Sequence, residues 1–300
     1  MAAHPKRLIL VAALMVATGG LTASGSAGVQ VSGTERPAPA RIISLVPALT
    51  EMLFAIGAGP QVIAVSSYDN FPAEVKALPK VGALLDPDTE RILSLRPDLV
   101  ITYGSQGELE SQFARAGIRT FSYRHGGVPI VLETLRALGA ATGHAVEADR
   151  TAREIQAQLD DIRARVRGRA RPRTLLVFDR QPQSLQQMYV SGGVGFLHEM
   201  LEIAGGSNVF ADVRREAVQP SHELLIVRAP EIILEVRAAG LLAADDVRRE
   251  RGVWSALGSV PAIRNGRILF LSGDYLVVPG PRVAQATAAF ARALHPQAFR

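Results

Sequence analysis

His144-Ala-Val-Glu-Ala-Asp-Arg-Thr-Ala-Arg-Glu-Ile-Gln-Ala-Gln-Leu-Asp-Asp-Ile-Arg-Ala-Arg-Val-Arg167 is the stretch that decides the architecture. Its apolar residues fall at Ala148, Ala152, Ile155, Leu159, Ile162 and Val166, in steps of four and three that keep one stripe on one face of a helix. Charge crowds the positions between: Glu147, Asp149, Arg150, Arg153, Glu154, Asp160, Asp161, Arg163 and Arg165. With no Pro and no Gly inside it, the stretch reaches roughly 36 Å at ~1.5 Å per residue, about the width of a small domain. Gly168 ends the pattern, and Arg171-Pro172 forbids its continuation. Taken alone it reads as a surface helix of one domain. Its flanks each look like a globular lobe, and that favours a rigid spacer between two of them.

Working outward, residues 1–28 read as a secretory signal peptide. Lys6 and Arg7 precede the apolar run Leu8–Ala17, and small residues follow it. The run is too short for a membrane anchor, which needs about 20 apolar residues. The chain has no Cys, so lipid attachment at a processed Cys, a disulfide framework and a thiolate metal site are all excluded. The expected location is the periplasm. Residues 29–40, rich in Gly, Ser, Pro and Ala, read as a flexible leader. Without its first 28 residues the 300-residue chain keeps enough length for two domains with good cores, and its net charge falls from +5 to +3 as Lys6 and Arg7 are lost. The densest basic cluster, Arg163 to Arg173, has no aromatic interleaving, which argues against nucleic acid as a partner.

Residues 41–143 alternate short apolar strands with helices. Arg41–Leu45, Val62–Val65, Leu99–Thr102 and Thr120–Tyr123 are the expected strands. Helices are expected at 49–56, 73–77, from Asp86, at 108–116 and at 131–141. Residues 168–300 repeat the scheme, with strands 174–178, 232–234 and 267–271 and helices 194–204, from Pro220, 253–257 and 282–294. Such alternation predicts α/β lobes, each with a parallel sheet covered on both faces. The domain reading is therefore an N-terminal lobe (41–143), an inter-lobe helix (144–167) and a C-terminal lobe (168–300).

One echo links the halves. Pro87-Asp-Thr-Glu90 and Pro220-Ser-His-Glu223 each precede an apolar run, a second Pro ten residues on, and a strand. The pattern places Pro at the first helical position and Glu in the first turn of equivalent helices. Helix N-termini favour carboxylates by ~0.3–1 kcal/mol; a matched pair on paired lobes points equally to a shared docking role.

Catalytic constellations are sparse in the sequence. Gly193-Val-Gly195-Phe-Leu-His198 lacks the third small residue of a dinucleotide fingerprint and reads as a helix-opening loop. No Walker A sequence, Gly-x-Ser-x-Gly elbow or i, i+4 His pair occurs. His125 and His222 fall in loops with access to a cleft. Asp274 follows a strand where open α/β sheets place ligand contacts, and Tyr68 and Tyr103 occupy comparable loops. With no acid, base and nucleophile set, the pattern points to binding, and an enzyme using the same crevice is the competing class.

Arg41-Ile-Ile-Ser-Leu-Val-Pro-Ala-Leu-Thr-Glu51, Val65-Ser-Ser-Tyr-Asp-Asn-Phe-Pro72, Glu90-Arg-Ile-Leu-Ser-Leu-Arg-Pro-Asp-Leu-Val100 and Ala204-Gly-Gly-Ser-Asn-Val-Phe210 resemble the periplasmic binding proteins of ABC importers for cobalamin (vitamin B12), haem and ferric siderophores. The likeness runs over about residues 41–295. That superfamily, the helical-backbone or class III binding proteins, has two Rossmann-like lobes joined by a single long rigid helix. The resemblance implies capture of a small-molecule ligand in the inter-lobe cleft, little hinge closure, and delivery to ABC transporter permease subunits at the inner membrane. No cofactor, metal ligand or catalytic residue is expected, and a monomer is.

Ser66-Ser-Tyr68 and Ser272-Gly-Asp-Tyr275 resemble the cobalamin receptors most. The resemblance would place Pro47, Ala48, Tyr68, Leu84, Tyr103, Asp274 and Tyr275 around a corrin, and would make Glu90 and Glu223 the carboxylates that pair with permease arginines. A large flat ring with amide arms suits apolar and aromatic walls with a few polar groups. The chain departs from those receptors in having a single Trp, Trp254, outside these loops. Leu84 stands in place of an aromatic residue and Val278 in place of an Arg. Haem is the alternative cargo, its iron held through Tyr68; a ferric siderophore would draw on Arg124 and Arg180.

Overall fold

In a computed structural model that describes residues 37–238 and 244–300, short apolar runs build two main sheets, beside a two-stranded ladder. The expected signal peptide (1–28) and residues 29–36 of the leader (29–40) lie outside the described residues. The first half of the chain runs β1 (Ile42–Ser44), α1 (Pro47–Ala55), β2 (Val62–Val65), β3 (Gly82–Ala83), β4 (Asp86–Pro87), α2 (Thr89–Ser94), β5 (Leu99–Tyr103), α3 (Gly107–Arg115), β6 (Arg119–Tyr123) and α4 (Val128–Thr142). Then come α5 (Ala145–Val166), β7 (Arg173–Asp179), β8 (Tyr189–Ser191), α6 (Phe196–Ile203), β9 (Ser207–Asn208) and β10 (Ala217–Val218). The chain closes with α7 (His222–Arg228), β11 (Ile232–Arg237), α8 (Ala244–Gly252), α9 (Pro261–Arg264), β12 (Ile268–Ser272) and α10 (Val283–Leu294).

The first sheet has the order β2-β1-β5-β6 with every pair parallel. β1, β2 and β5 are nearly continuous apolar runs, and Leu99 to Thr102 are all buried, as expected where helices cover both faces; the edge strand β6 is more polar and only partly buried. In the second sheet β11 lies parallel between β7 and β12. That sheet is mixed rather than parallel throughout, because β8 runs antiparallel to β7 and β10 antiparallel to β8. β8 and β10 are three and two residues long, too short to leave a period in the sequence.

α5 buries Ala148, Ala152, Ile155, Leu159, Ile162 and Val166, the stripe expected from spacing alone. It packs on α4 before it and on α10 and α6 after it. At Gly139 a Cβ would lie 2.2 Å from the Ala148 Cβ, so only Gly lets α4 and α5 approach this closely. Each fully buried Ile, Leu or Val of the stripe stabilises the packing by ~1.5–3 kcal/mol. The outer face carries the pairs Arg150–Glu154, Asp149–Arg153 and Asp161–Arg165, worth ~0.3–0.5 kcal/mol each. Burial, not the surface charge, decides where this helix sits.

One hydrophobic core runs from sheet to sheet through these helices. It includes Ile42, Leu49 and Ile101 of the first half, Leu135 of α4, Leu159 of α5, and Met200, Leu234 and Phe290 of the second half. Each sheet's other face has its own cluster, with Ile43, Val100 and Phe113 in the first and Leu175, Phe210 and Trp254 in the second.

Several local expectations change. Asp86 and Pro87 form β4 rather than opening a helix; Asp88 is the cap of α2, its Oδ1 accepting from Arg91 N at 3.0 Å. Pro220 likewise precedes the cap Ser221, whose Oγ accepts from Leu224 N. Both prolines therefore stand one residue before the cap rather than at the first helical position. α6 starts at Phe196 behind Gly195. Residues 253–257 form a 3-10 turn, preceded by α8, a helix with charge at most positions and hence no apolar stripe to betray it. Among the described residues no helix is long and apolar enough to cross a membrane.

Candidate functional site

The C-terminal ends of the parallel strands of both sheets meet, and the polar contacts between the two halves cluster there. α1 follows β1 directly, opened by Pro47, and its one acid, Glu51, is buried beside the half-buried Arg282. Arg282 donates from Nε to Glu51 Oε2 at 2.8 Å and from Nη2 to Glu51 Oε1 at 2.6 Å. Its Nη1 donates to Asp274 Oδ1 at 2.9 Å. The Phe71 ring lies over the guanidinium at 4.0 Å and the Tyr275 ring at 5.8 Å. Bidentate, charge-assisted geometry of this kind is the strong form of an ion pair. Burial raises the Glu51 pKa, while the hydrogen bond and the charge of Arg282 oppose the rise.

Close backbone approach supports the crossing. A Cβ at Gly280 would touch Glu51 Oε2 at 3.4 Å and Ala48 O at 3.5 Å. Gly273 sits at φ 152°, and a Cβ there would meet the Tyr275 ring at 2.4 Å. Only Gly at 273 lets the chain leave β12 and fold Asp274-Tyr275 back over itself.

A second crossing lies at the end of β6. Tyr123 hydroxyl and His125 Nδ1 are 3.2 Å apart, and His125 Nε2 lies 3.4 Å from Glu216 Oε2. The rings of Tyr103, Tyr123, His125 and Phe196 form an edge-to-face chain with centroid spacings of 5.6, 6.2 and 5.5 Å. Burial pushes the Tyr103 and Tyr123 hydroxyls up, helped by the Glu216 charge. Burial also pulls His125 down, with Glu216 opposing. Beside it, Glu199 of α6 accepts from Val128 N at 2.7 Å and so satisfies the first N–H of α4. A Cβ at Gly127 would fall 2.0 Å from that carboxylate.

The expected ligand residues surround these crossings. Pro47 and Ala48 open α1 at the Glu51 side, and Asp274 and Tyr275 contact Arg282. Tyr68, 39% exposed, shares a loop with Phe71, 41% exposed. Ser66 and Asp69 brace that loop: Ser66 Oγ donates to Asp69 Oδ2 at 2.7 Å and accepts from Tyr68 N. Leu84 and Tyr103 are tied by Gln106, which donates to Leu84 O at 2.7 Å and accepts from Tyr103 N at 2.9 Å.

Arg180 departs from its expected place. Its side chain is fully buried in the second half, paired with Glu235 at 3.1 Å and Glu250 at 2.6 Å, with Trp254 donating to Glu235. It braces β7 against β11 and α8 and offers nothing to a cleft. His222 is the first, exposed residue of α7. Sequence reading missed Glu51, Phe71, Glu216 and Arg282, because their partners lie up to 231 residues away. Glu90 and Glu223 are both exposed and both stand second in their helices behind a side-chain cap. Hydrogen bonds from its own backbone N–H and from Ser221 hold the Glu223 carboxyl below the usual range.

A surface hollow of about 590 Å³ lies at the C-terminal end of α5 and reaches Glu199 of the second crossing. Arg163, Arg167, Arg169 and Arg171 line it with Glu199 and Glu202. Arg171 pairs with Glu202 and donates to Gly206 O at the end of α6, and Arg169 donates to Arg165 O at the end of α5, so each of these two cations serves the negative end of a helix.

Comparison with known proteins agrees with this geometry. A vitamin B12-binding protein of Salmonella typhimurium is 30% identical over 256 residues, which span 85% of this chain and 90% of that protein. An ABC transporter substrate-binding lipoprotein, YvrC of Bacillus subtilis, is 26% identical over 273 residues, 89% of this chain and 83% of that one. Among solved structures, the periplasmic haem-binding protein RhuT of Roseiflexus sp. RS-1 in its apo form superposes with a TM-score of 0.70 at 26% identity, covering 86% of this chain and 98% of its own. The pattern of the periplasmic binding protein family matches residues 42–275, and the chain belongs to that family.

Proposed function

We propose that this protein captures a corrinoid between its two lobes and delivers it to the permease of an ABC importer. The observation that carries the reading is the cluster of Phe71, Tyr275 and Asp274 around Arg282, with Tyr68 exposed in the Phe71 loop and Tyr103 in the neighbouring chain of rings. Aromatic walls cover a flat ring, and a few fixed polar groups orient its edge. The likeness to a vitamin B12-binding protein over most of both chains supports a corrin as the cargo. In this reading the lobes are residues 41–143 and 168–300, and Pro47, Ala48, Tyr68, Leu84, Tyr103, Asp274 and Tyr275 contact the ligand.

α5 acts as a rigid spacer, and closure is small because one continuous core joins both sheets. The cleft binds without turnover, in keeping with substrate-binding relatives. Delivery takes place on the periplasmic face of the inner membrane, where Glu90 and Glu223 pair with permease arginines. Their matched positions, each second in a capped helix before the strand that flanks β1 or β7, support that pairing.

Haem is the second reading, favoured by the exposed Tyr68 and by the likeness to a haem-binding structure. Absorbance titration with cyanocobalamin and with haemin separates the two. Cobalamin binding weakened by Tyr68→Ala supports the corrin. A haemin spectrum of tyrosinate type, lost in Tyr68→Phe, replaces it with haem.

A further inference from the structure

The charge balance at the first crossing bears on which edge chemistry a ligand presents. Arg282 is committed on three sides: Nε and Nη2 to Glu51, Nη1 to Asp274, and one face to the Phe71 ring. Its side chain is only 15% exposed, so little of the cation faces solvent. Two carboxylates against one guanidinium leave this cluster with one net negative charge. Asp274 spends Oδ1 on Arg282, and its side chain is 43% exposed, so the carboxylate presents acceptor capacity to the cleft. At the second crossing Glu216 faces His125, which burial disposes to stay neutral. The first crossing therefore offers an acceptor rather than a free cation.

We infer that the Glu51–Arg282–Asp274 cluster selects the ligand by its edge, accepting uncharged N–H donors such as primary amides and rejecting carboxylates. Arg282 is a positioning residue here: it holds Asp274 and the Phe71 ring in place and screens half of the acid charge. A neutral amide donates to Asp274 at no electrostatic cost, whereas a ligand carboxylate meets a like charge and leaves the acceptor unsatisfied. The cations that oppose this are Arg124, beside His125, and Arg214 and Arg215, beside Glu216. All three are exposed, and a carboxylate-edged ligand held by them would defeat the inference.

The inference rests on the corrin reading, and a matched pair of corrins separates the two. Dicyanocobinamide carries side-chain amides around the ring, and dicyanocobyrinic acid carries carboxylates in their place on the same ring. The purified protein is titrated with each at pH 7.5, and with each again after Asp274→Asn. The expected result is cobinamide binding at least about tenfold tighter, ~1.4 kcal/mol, with the gap narrowed in Asp274→Asn by a gain for the acid. Equal or tighter binding of cobyrinic acid by the wild-type protein overturns the edge inference and leaves the corrin reading standing. So does a gap that Asp274→Asn leaves unchanged at an unaltered melting temperature. Failure of both corrins to bind overturns the corrin reading itself, and the inference with it.

Discussion

Replacing Arg282 with Met keeps much of the aliphatic stem but removes the guanidinium that lies over Phe71, and so leaves Glu51 without its cation. Glu51 is 4% exposed, and Arg282 supplies both of its oxygens with charge-assisted hydrogen bonds. Removing one partner of a buried pair costs ~3–5 kcal/mol, because the survivor keeps its desolvation penalty without its compensation. Glu51 can escape part of that cost by taking a proton, so a value near the lower end, about 3 kcal/mol, is expected. At ~2–4 °C per kcal/mol for a chain of this size, the melting temperature falls by roughly 6–12 °C.

The pH dependence has a definite sign. Burial raises the folded pKa of Glu51 above 4.5 even with Arg282 present, and both effects of Arg282 lower it, so the variant raises it further. An acid with a raised folded pKa costs stability at high pH, and the cost fades as pH falls through that value towards 4.5. The deficit of Arg282→Met should therefore be largest at pH 7.5 and smaller at pH 5, and Glu51→Gln in the same chain should recover part of it. Scanning calorimetry of the wild type and both variants at the two pH values is the assay. A melting temperature within about 2 °C of wild type, or a deficit that does not change with pH, would refute the argument that this pair is buried and coupled.

Other predictions extend to the rest of the molecule. Tyr68→Ala should weaken cyanocobalamin binding by about 10–100-fold, from ~1.5–3 kcal/mol of lost apolar cover, with the melting temperature unmoved because the side chain is 39% exposed. His125, whose pKa burial lowers against Glu216, should contribute stability in full above about pH 6.5 and lose it as pH falls through the lower folded value. His125 is met by the Tyr123 hydroxyl, the Glu216 carboxylate and the Phe196 ring. The wild-type minus His125→Gln difference in melting temperature, followed from pH 7.5 to 5, measures this contribution. Trp254→Ala should cost ~3–5 kcal/mol by emptying a fully buried site and removing a donor to Glu235, seen as a shifted denaturation midpoint. Glu90→Lys with Glu223→Lys should spare ligand affinity and abolish uptake in a transport assay; retained uptake would leave both carboxylates as helix-terminus residues.

What the sequence disclosed, and what it hid, follows from the range of the interactions. α5 was legible to the residue because a helix of period 3.6 writes its buried face into local spacing, and all six expected stripe positions are buried. β5 and β11 were legible for the same reason, as apolar runs bounded by Pro and polar turns. β8 and β10 left no mark, since two or three residues cannot carry a period, and α8 hid because its one inward group is the carboxylate of Glu250. Leu84 and Tyr103 gave no local hint of being joined, yet Gln106 ties their loops. Arg180 looked available because nothing local pairs it, whereas Glu235 and Glu250 bury it from 55 and 70 residues away. Glu51 and Arg282 are the clearest case: a carboxylate in an apolar helix and an arginine before the last one become a buried pair only when the two halves of the chain pack together.

Calorimetric titration of the purified protein with cyanocobalamin tests whether the proposed crevice holds a corrinoid. Saturable one-to-one binding is expected, weakened by Tyr68→Ala and Asp274→Asn, with no change in the haemin absorption band when haemin is titrated in parallel. No heat from cyanocobalamin, together with a haemin band shifted to the tyrosinate form and lost in Tyr68→Phe, would contradict it.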